Sequence, residues 1–390
     1  MTNIPKVILW IESSRASGRE LLCGIANYAH HHGPWQFYWE PGGLEEGSQM
    51  LRNVEADGII LRDTGKLEEA LDCGIPAVVI GHRKSEVPGV VNVITDSDTI
   101  GRMAAEHLLS CGFKHFAYCG YARTEYENTA WSGLRKISFQ RRLDQAGMTV
   151  VSHYEISRAG HDRGDELRAL ADWLHTLPKP IGIMACNDEC SQRVMEACKA
   201  AGLAVPDVAG VIGADNDEIV CGLTNPPLSS VAIDFQRAGY EAAHALSGLM
   251  RGYDGISRRI LATATQVVAR RSTDFVAADE PHLGKALRFI RDNARTSISV
   301  DDVARNSGVS RRSLEKRFRA AIGRSILEEI RRVRTDQIAR LLVETDLPIN
   351  EIAELGFAEV QHFSRYFRSI KQVSPSEYRK RFRDTAAREA

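Results

Sequence analysis

The hydrophobic pattern of this 390-residue chain changes at about residue 270, and this change limits the possible folds more than any other feature. From residue 6 to residue 268, short β-branched runs alternate with longer amphipathic stretches, and after residue 283 no strand pattern returns. Such alternation is typical of parallel sheets covered by helices, whereas the later pattern is wholly helical. We therefore predict an α/β domain over residues 4–271, a linker over 272–282 and an all-α domain over 283–382.

The α/β region is long enough to form two lobes. Its roughly 265 residues exceed the usual length of one doubly wound domain. Strands are predicted where short apolar runs end near glycine or proline, at 6–11, 36–39, 58–61, 77–80, 90–94, 116–119, 181–185, 209–212 and 229–233. Helices are predicted between them, at 19–31, 100–111, 134–146, 192–201 and 236–250. We expect one parallel sheet in each lobe.

Charge is divided unevenly between the two regions. Residues 283–390 contain 23 Lys and Arg against 15 Asp and Glu, a net charge of +8, whereas the whole chain carries −1. Arginine supplies 19 of these 23 bases, and its planar fork of donors suits phosphate and guanine better than an ammonium group does. The asymmetry indicates an acidic body with a nucleic-acid-binding end, although a solvated basic face would give the same count.

Several classes of function lack their sequence signals. No apolar run approaches the ~20 residues of a membrane helix, and the run at 7–11 meets Glu12 too soon for a secretory signal. Neither a phosphate-binding loop nor a dinucleotide fingerprint occurs, and the eight cysteines form no Cys-x-x-Cys pair. We predict a cytoplasmic protein without enzymatic activity, cofactor or metal site.

The helical region contains two helix-turn-helix patterns, at 300–321 and 348–370. In each, a short helix ends before a glycine, Gly308 or Gly356, and the next helix carries two apolar anchors. The outward face of that second helix is polar, at spacings that place its residues on one side. The first stripe is Arg312, Glu315, Lys316 and Arg319, and the second is Gln361, Ser364, Arg365 and Arg368. Such side chains can pair with guanine, adenine and cytosine, so both stripes can read base edges.

The helix between the two patterns sets their separation. Residues 325–345 are predicted to form one helix, and its length at 1.5 Å per residue is about 31 Å. Successive major-groove faces on one side of a duplex lie about 34 Å apart. The spacing predicts that one rigid helix holds two reading helices in adjacent major grooves.

Residues 298–379 resemble the DNA-binding domain of AraC-type transcriptional regulators. The resemblance is most specific in Ile352-Ala353-Glu354-Leu355-Gly356-Phe357, His362-Phe363-Ser364-Arg365-Tyr366-Phe367 and Ser374-Pro375-Ser376-Glu377-Tyr378-Arg379. In one departure from the family, two residues instead of three separate Ile-Ala from Gly-Phe, which shortens the supporting helix. The resemblance implies contacts to double-stranded DNA, at bases by Arg312, Glu315, Lys316, Gln361, Ser364 and Arg365, and at phosphates by Arg311 and Arg317.

Two carboxylates of the acidic region closely follow predicted strands. Asp188 comes after the strand at 181–185, and Asp215 comes after the strand at 209–212. Ligands bind outside the carboxyl ends of parallel strands in open α/β sheets. Since an ionised carboxylate accepts hydrogen bonds from hydroxyl groups and repels phosphate, this pair favours a neutral polyol such as a sugar.

The acidic region resembles the effector domain of LacI/GalR-type repressors, which share the fold of periplasmic sugar-binding proteins. The matching stretches include Ile183-Met184-Ala185-Cys186-Asn187-Asp188, Val211-Ile212-Gly213-Ala214-Asp215-Asn216 and Leu228-Ser229-Ser230-Val231. The resemblance implies a two-lobed sensor in which Arg135 grips the ligand beside Asp188 and Asp215. Trp131 either stacks on a sugar face or serves as plain packing, and Asp96 is a further candidate.

A LacI-like sensor followed by an AraC-like DNA reader is similar to the XylR-type activators of xylose operons. The stretch Arg270-Arg271-Ser272-Thr273-Asp274, which joins the halves, is also similar. This resemblance implies a sugar effector, with xylose ahead of other pentoses, a homodimer, and recruitment of RNA polymerase. Two alternatives stay open. One is a regulator, either an activator or a repressor, that responds to another sugar. The other is an enzyme with a DNA-binding tail in which Cys186 is the nucleophile.

Overall fold

The computed structural model describes residues 4–380 except 40, 42–54, 64–66, 82–85, 123–129, 157–161, 254, 276–280, 294, 295, 297, 346, 355–359 and 372. The chain divides into two compact units, Met1–Phe275 and Val276–Ala390. The first unit holds two sheets dominated by parallel pairings, and the second unit is helical. The fold class predicted from the sequence, a two-lobed α/β unit followed by an all-α unit with two helix-turn-helix patterns, is confirmed.

Lobe 1 of the first unit is built on one six-stranded sheet. Its strands are β1 Lys6–Trp10, β2 Gln36–Trp39, β3 Gly58–Arg62, β4 Ala77–Ile80, β5 Val91–Thr95 and β11 Arg259–Ala262, in the order β11-β5-β4-β3-β1-β2. All these pairings are parallel. The lobe also contains the helices α1 Ala16–His32, α2 Leu67–Leu71 and α8 Phe235–Met250. Strands β3 and β4 are buried throughout, which explains their continuous apolar sequences.

Lobe 2 repeats this plan. Its strands are β6 His115–Tyr121, β7 Val150–Ile156, β8 Ile181–Ala185, β9 Ala209–Asp215, β10 Ser229–Ile233 and β12 Ala264–Val268, in the order β12-β10-β9-β8-β6-β7. Only β12 runs antiparallel to its neighbour among the described strands of this sheet. The helices are α3 Ser97–Ser110, α4 Ala130–Gln145, α5 Arg163–Thr176, α6 Asp188–Ala200 and α7 Glu218–Leu223.

The chain passes between the lobes at several connections, so the lobes form one unit. It passes from β5 to α3, from β10 to α8 and from β11 to β12. Parallel strands in each sheet place their carboxyl ends at one edge, and the residues at these ends line a common cleft. The fold therefore positions a ligand site between the lobes.

Three strands at the sheet edges and three helices were not predicted from the sequence. Every predicted strand is present, and the strands β7, β11 and β12 and the helices α2, α5 and α7 are additional. Strand β7 lies at an edge, and its residues alternate between half-buried and exposed as far as Ile156. Its sequence includes Ser152, His153 and Glu155. An edge strand has a neighbour on one side only, and apolar residues are required only on the face that is buried. An edge strand of this composition has a weak apolar signal.

The second unit consists of helices around two small cores. Its helices are α9 Pro281–Asp292, α10 Val300–Ser307, α11 Arg311–Ile322, α12 Ile326–Glu344, α13 Ile349–Glu354 and α14 Val360–Lys371, followed by a helical segment at 375–380. Leu314 and Phe318 of α11 are buried in the first core, and Phe363 and Phe367 of α14 are buried in the second. Helix α12 contributes to both cores and so connects the two helix-turn-helix patterns.

The first helix-turn-helix has a capped first helix and the glycine turn that the sequence predicts. Ser299 caps α10 in a capping box, in which its hydroxyl accepts from Asp302 N at 3.2 Å and Asp302 accepts from Ser299 N at 2.9 Å. The helix ends at Gly308, whose φ of 73° lies in the left-handed region that favours glycine.

Among the described helices, none has the length and apolar composition needed to cross a membrane.

The segment predicted as the start of a linker is part of the first unit. Ser272 and Thr273 lie in a 3₁₀ turn, Arg271–Thr273, and are 0% and 1% exposed. The Ser272 hydroxyl donates to the carbonyl of Val211 at 2.6 Å and accepts from Ser229 N at 2.8 Å. The buried hydroxyls fix this segment to β9 and β10, which corrects the predicted linker boundary at residue 272. At the other end, α9 begins at Pro281, inside the predicted linker.

Gly101 of α3 allows α4 to approach closely, and we predict that Gly101→Ala destabilises the first unit. A Cβ atom at this position would lie 2.5 Å from the carbonyl oxygen of Arg135 and 2.7 Å from the nitrogen of Phe139. Such overpacking against backbone costs about 1–3 kcal/mol. The change in unfolding free energy is measured in denaturant by tryptophan fluorescence, because all five tryptophans belong to the first unit.

Gly133→Ala is the matched control for this change. No heavy atom lies within 4 Å of a Cβ atom placed at Gly133, which belongs to α4. Alanine there should stabilise the helix by about 0.5–1 kcal/mol. Equal stabilities of the two variants would contradict the proposed close approach of α3 and α4.

Candidate ligand cleft and candidate nucleic-acid interface

A cleft that is open to solvent lies between the two lobes, and its space, including the open part, is about 570 Å³. Lobe 1 contributes the ends of its strands, including Arg62 of β3 and Thr95 of β5. Lobe 2 contributes Trp131 and Arg135 of α4 and Asp215 at the end of β9. Three residues predicted to bind the ligand, Arg135, Trp131 and Asp215, are therefore brought together on the wall of one cleft.

Arg135 is the most enclosed charge of this wall. It is 2% exposed, its Nη1 donates to the carbonyl of Cys186 at 2.5 Å, and its Nη2 lies 3.3 Å from Oδ1 of Asp215. Its guanidinium group lies over the Trp131 ring, 4.8 Å from the centroid. Trp131 therefore packs against Arg135, which supports its packing role, while its place in the cleft wall leaves a sugar contact open.

Asp215 has an unusual backbone and an unusual environment. Its φ is 102° and that of Asn216 is 53°, both in the left-handed region that non-glycine residues rarely adopt. Burial raises the pKa of Asp215, and the positive charge of Arg135 acts in the opposite direction. Backbone strain of this kind occurs at functional sites, where the surrounding structure holds it in place.

Lobe 1 presents a second buried arginine to the cleft. Arg62 is 9% exposed, and its Nε lies 2.9 Å from Oε2 of Glu12. Among the described residues, neither Nη2 of Arg62 nor Nε of Arg135 has a hydrogen-bond partner. A buried donor without a partner is costly, so both nitrogens would gain from an acceptor that the described residues do not supply.

Polar contacts also join the lobes directly. Arg15 of lobe 1 forms a two-fold ion pair with Glu189 of α6, with distances of 2.7 and 3.0 Å. The backbone nitrogen of Ala16 donates to Oδ2 of Asp217 at 2.9 Å, and Nη2 of Arg19 lies 3.5 Å from the same oxygen. These contacts hold the lobes together beside the cleft.

Asp188 and Asp96, which the sequence predicts as further ligand contacts, lie outside the described wall of the cleft. Asp188 is 2% exposed inside lobe 2, where it accepts from the Ser230 hydroxyl at 2.6 Å and from Asp217 N at 2.8 Å. Burial raises its pKa to about 8, with a contribution from the charge of Asp215. Asp96 caps α3 by accepting from Thr99 N at 3.0 Å. Neither residue belongs to the described wall of the cleft.

The residues that sequence reasoning missed lie mostly in lobe 1. They are Arg15, Ser17, Arg62, Thr95, Asn187 and Phe235. Arg62 and Thr95 end the parallel strands β3 and β5, so the strand-end argument that indicated Asp215 would have found them. Arg15 precedes α1 and Phe235 begins α8. No sequence signal marked their approach to lobe 2.

The environment of Cys186 argues against an activated nucleophile. It is 0% exposed, and burial raises the pKa of its thiol well above the usual value. A nucleophilic cysteine needs the opposite shift, since its thiolate reacts. No group of His, Cys, Asp and Glu side chains among the described residues could hold a metal ion.

In the second unit, the first predicted polar stripe lies on the exposed side of α11. Arg312, Glu315, Lys316 and Arg319 are exposed, as is Arg317. Arg311 pairs with Glu315 at 2.9 Å and with Asp301 at 3.2 Å. These exposed ion pairs are weak, so they leave the guanidinium group available to exchange its partner for a phosphate.

The second predicted stripe lies on α14. Ser364, Arg365 and Arg368 are exposed, opposite the buried Phe363 and Phe367. The side chain of Gln361 is outside the described residues, as is the segment 355–359, which includes part of the shortened stretch at 352–357. Both helices thus carry exposed arginines opposite an aromatic core.

Known proteins resemble the chain in both units. A periplasmic binding protein-like domain matches residues 105–273, and a helix-turn-helix domain matches residues 303–381. The xylose operon regulatory protein of Escherichia coli (strain K12) is 30% identical over 381 residues, 96% of this chain and 96% of that protein. The protein of the same name from Haemophilus influenzae is 27% identical over 96% of this chain and 98% of its own length. The solved structure of the xylose-binding transcription activator XylR has a TM-score of 0.74 at 30% identity, and the match covers 97% of this chain and 98% of that chain.

Glu20 should make the stability of the first unit depend on pH. Burial raises its pKa to about 7, and the charges of Asp215, Asp234 and Asp217 add to this rise. The folded state therefore holds a proton that the unfolded chain releases near pH 4.5, so stability falls as the pH rises from about 5 to 8. Glu20→Gln removes this loss. We expect the unfolding free energy of the variant, relative to that of the parent, to be about 1–2 kcal/mol higher at pH 8 than at pH 5.

Denaturant unfolding at pH 5 and pH 8, followed by tryptophan fluorescence, measures this difference. Asp172→Asn, which changes an exposed carboxylate of α5, serves as the control and should show no such gain. A stability difference between Glu20→Gln and the parent that stays constant with pH would show that Glu20 does not titrate in this range.

Proposed function

The chain belongs to the xylose operon regulatory proteins and is a sugar-responsive, AraC-type regulator of transcription, and from this premise we propose that xylose is its effector. Two observations support this choice: the relatives that match over nearly their full length are named for the xylose operon, and the matching solved structure is described as xylose-binding. We further propose that the protein activates pentose-catabolic genes, resides in the cytoplasm and catalyses no reaction.

The observation that carries the ligand proposal is the compensation of charge in the cleft. Each arginine of its wall faces a carboxylate: Arg135 faces Asp215, Arg62 faces Glu12 and Arg15 faces Glu189. A neutral ligand adds no net charge to this arrangement, and its hydroxyl groups can donate to carboxylates and accept from guanidinium groups. The unpaired nitrogens of Arg62 and Arg135 support contacts to hydroxyl oxygens from both lobes.

We assign the first unit, residues 1–275, as the sugar sensor and the second unit, residues 276–390, as the DNA-binding domain. The reading helices are α11 and α14, with Arg312, Glu315, Lys316, Gln361, Ser364 and Arg365 at bases and Arg311, Arg317 and Arg368 as further DNA contacts. The helix α12 between them has 19 residues, and its length of about 28 Å approaches the spacing of about 34 Å between successive major grooves.

Ligand binding would act by shifting a conformational equilibrium. A sugar that contacts both lobes binds more tightly when they are close together, and it shifts the equilibrium only by that difference in affinity. We propose that the protein acts as a homodimer, because joining two DNA-binding domains raises their effective concentration on paired half-sites. In this arrangement the DNA-bound protein recruits RNA polymerase.

Arg135→Met should weaken xylose binding about ten- to a hundredfold, because hydrogen bonds to a charged group contribute about 1.5–3 kcal/mol each. Titration calorimetry of the full chain with xylose measures the change. Arg141→Met is the matched control in the same helix, since Arg141 is exposed and its partner is Asp98. An unchanged affinity in Arg135→Met would remove this residue from the ligand site.

Arg365→Ala should weaken specific DNA binding about five- to a hundredfold, the usual contribution of one paired base contact. Arg163→Ala, which removes a charge from the exposed surface of the first unit, is the control. DNase footprinting and affinity on a duplex selected from a random pool by the full chain give the readout. An equal loss of DNA affinity in Arg365→Ala and Arg163→Ala would contradict a specific base contact by Arg365.

Transcription from a reporter separates activation from repression. The selected duplex is placed upstream of a promoter, and transcription is measured with and without xylose. An activator raises transcription when xylose is present, whereas a repressor lowers it in one of the two states. Transcription that is independent of both protein and sugar would contradict the regulatory proposal.

A further inference from the structure

The short turn Asp215–Asn216–Asp217 touches three parts of the first unit at once. Asp215 lines the cleft, Asp217 contacts lobe 1, and Asn216 contacts the segment through which the chain leaves the first unit. We propose that this turn couples sugar binding in the cleft to the exit segment, with Asn216 and Arg270 as the positioning pair that transmits it. The proposal rests on the function proposed above and assigns a role to the Arg270–Asp274 motif.

The cleft end of the turn is Asp215. Its Oδ1 lies 3.3 Å from Nη2 of Arg135, the enclosed charge of the cleft wall. A sugar hydroxyl that competes for either group changes the balance of forces on this carboxylate. Because the side chain has only two rotatable bonds, a carboxylate displaced further than they allow moves the backbone of the turn with it.

The lobe end of the turn is Asp217. Its Oδ2 accepts from Ala16 N of lobe 1 at 2.9 Å, and its Oδ1 accepts from Ile219 N at the start of α7 at 3.1 Å. Its own nitrogen donates to Oδ2 of the buried Asp188 at 2.8 Å. The position of Asp217 therefore depends on how close lobe 1 lies to lobe 2.

The output end of the turn is Asn216. Its side-chain oxygen accepts from Nη2 of Arg270 at 2.9 Å, and its backbone nitrogen donates to the Ser230 hydroxyl at 3.0 Å. Arg270 stands where the chain leaves β12, and its Nη1 donates to the carbonyl of Leu228 at 2.9 Å. A movement of the turn thus reaches Arg270 through one side-chain hydrogen bond.

The exit segment after Arg270 is held by a continuous set of contacts. The Thr273 hydroxyl lies 2.7 Å from the Ser229 hydroxyl and 2.7 Å from Nε2 of His107. Phe275 stacks on Phe113 with a centroid distance of 4.1 Å. Since the segment has these fixed partners up to the end of the first unit, a change at Arg270 is passed along it instead of being lost in a flexible chain.

The backbone of the turn is suited to two arrangements. Asp215 and Asn216 both have positive φ values, 102° and 53°, which side chains with a Cβ atom rarely adopt. Such conformations persist only where the surroundings determine them, so a change in the surrounding hydrogen bonds can release them. A strained element that two sites contact is the physical basis for coupling between those sites.

The test separates ligand binding from its transmission. Asn216→Gly keeps the left-handed backbone accessible and removes the side-chain acceptor, whereas Asn216→Asp keeps an oxygen for Arg270. The DNA affinity of the full chain is measured with and without saturating xylose, on the selected duplex described above. The ratio of the two affinities is the coupling factor, and calorimetry gives the xylose affinity of each variant.

We expect the xylose affinity of Asn216→Gly to lie within threefold of that of the parent. Its coupling factor should be at least fivefold smaller than that of the parent. Asn216→Asp should retain the coupling, and Arg270→Met, which keeps the aliphatic part of the side chain, should lose it as Asn216→Gly does. The double variant should lose no more coupling than Arg270→Met alone, because both single changes remove the same contact between Asn216 and Arg270.

Three results would overturn the inference. A coupling factor in Asn216→Gly equal to that of the parent shows that the signal takes another route. Loss of xylose binding in Asn216→Gly shows that the residue belongs to the ligand site instead of the relay. Additive losses in the double variant show that Asn216 and Arg270 act separately. A parent chain without xylose binding or coupling refutes the proposed function itself, before any variant is compared.

Discussion

The buried ion pair of Arg135 and Asp215 is the interaction on which the rest of the sensor depends. A charge that is 2% exposed is stable only when it is paired and its other donors are used. The fold meets this need with a carboxylate from β9, a carbonyl from the end of β8 and the face of Trp131. One donor, Nε, has no hydrogen-bond partner among the described residues.

The parallel sheets explain why function collects at this place. Both sheets direct the ends of their strands to the cleft, so short side chains at these ends become neighbours across the lobes. The same geometry limited the sequence argument. Asp188 and Asp215 both follow a strand, yet Asp188 begins α6 and turns into the lobe towards Ser230, whereas Asp215 ends β9 and faces the cleft. Position after a strand predicts the edge of the sheet but not the direction of the side chain.

Local signals in the sequence predicted the central strands and the helices of the second unit, because burial on both faces and capping residues leave clear patterns. Strand β7 and helix α5 escaped prediction because their apolar pattern is weak. The contacts that join the lobes could not be predicted at all. Arg15 and Glu189 are separated by 174 residues, and Ala16 and Asp217 by 201, so only the folded structure brings them together. The exposed arginines of α11 and α14 were predictable because helical spacing alone fixes their face.

The central claim is that compensated charges in the cleft select a neutral pentose. Titration calorimetry of the full chain with xylose, with its carboxylic acid xylonate and with xylose phosphate tests this claim most directly. The account predicts heat of binding with xylose and none with either anion, since every arginine of the wall already faces a carboxylate. Binding of an anion as tightly as xylose, or no binding of any neutral pentose, would contradict it.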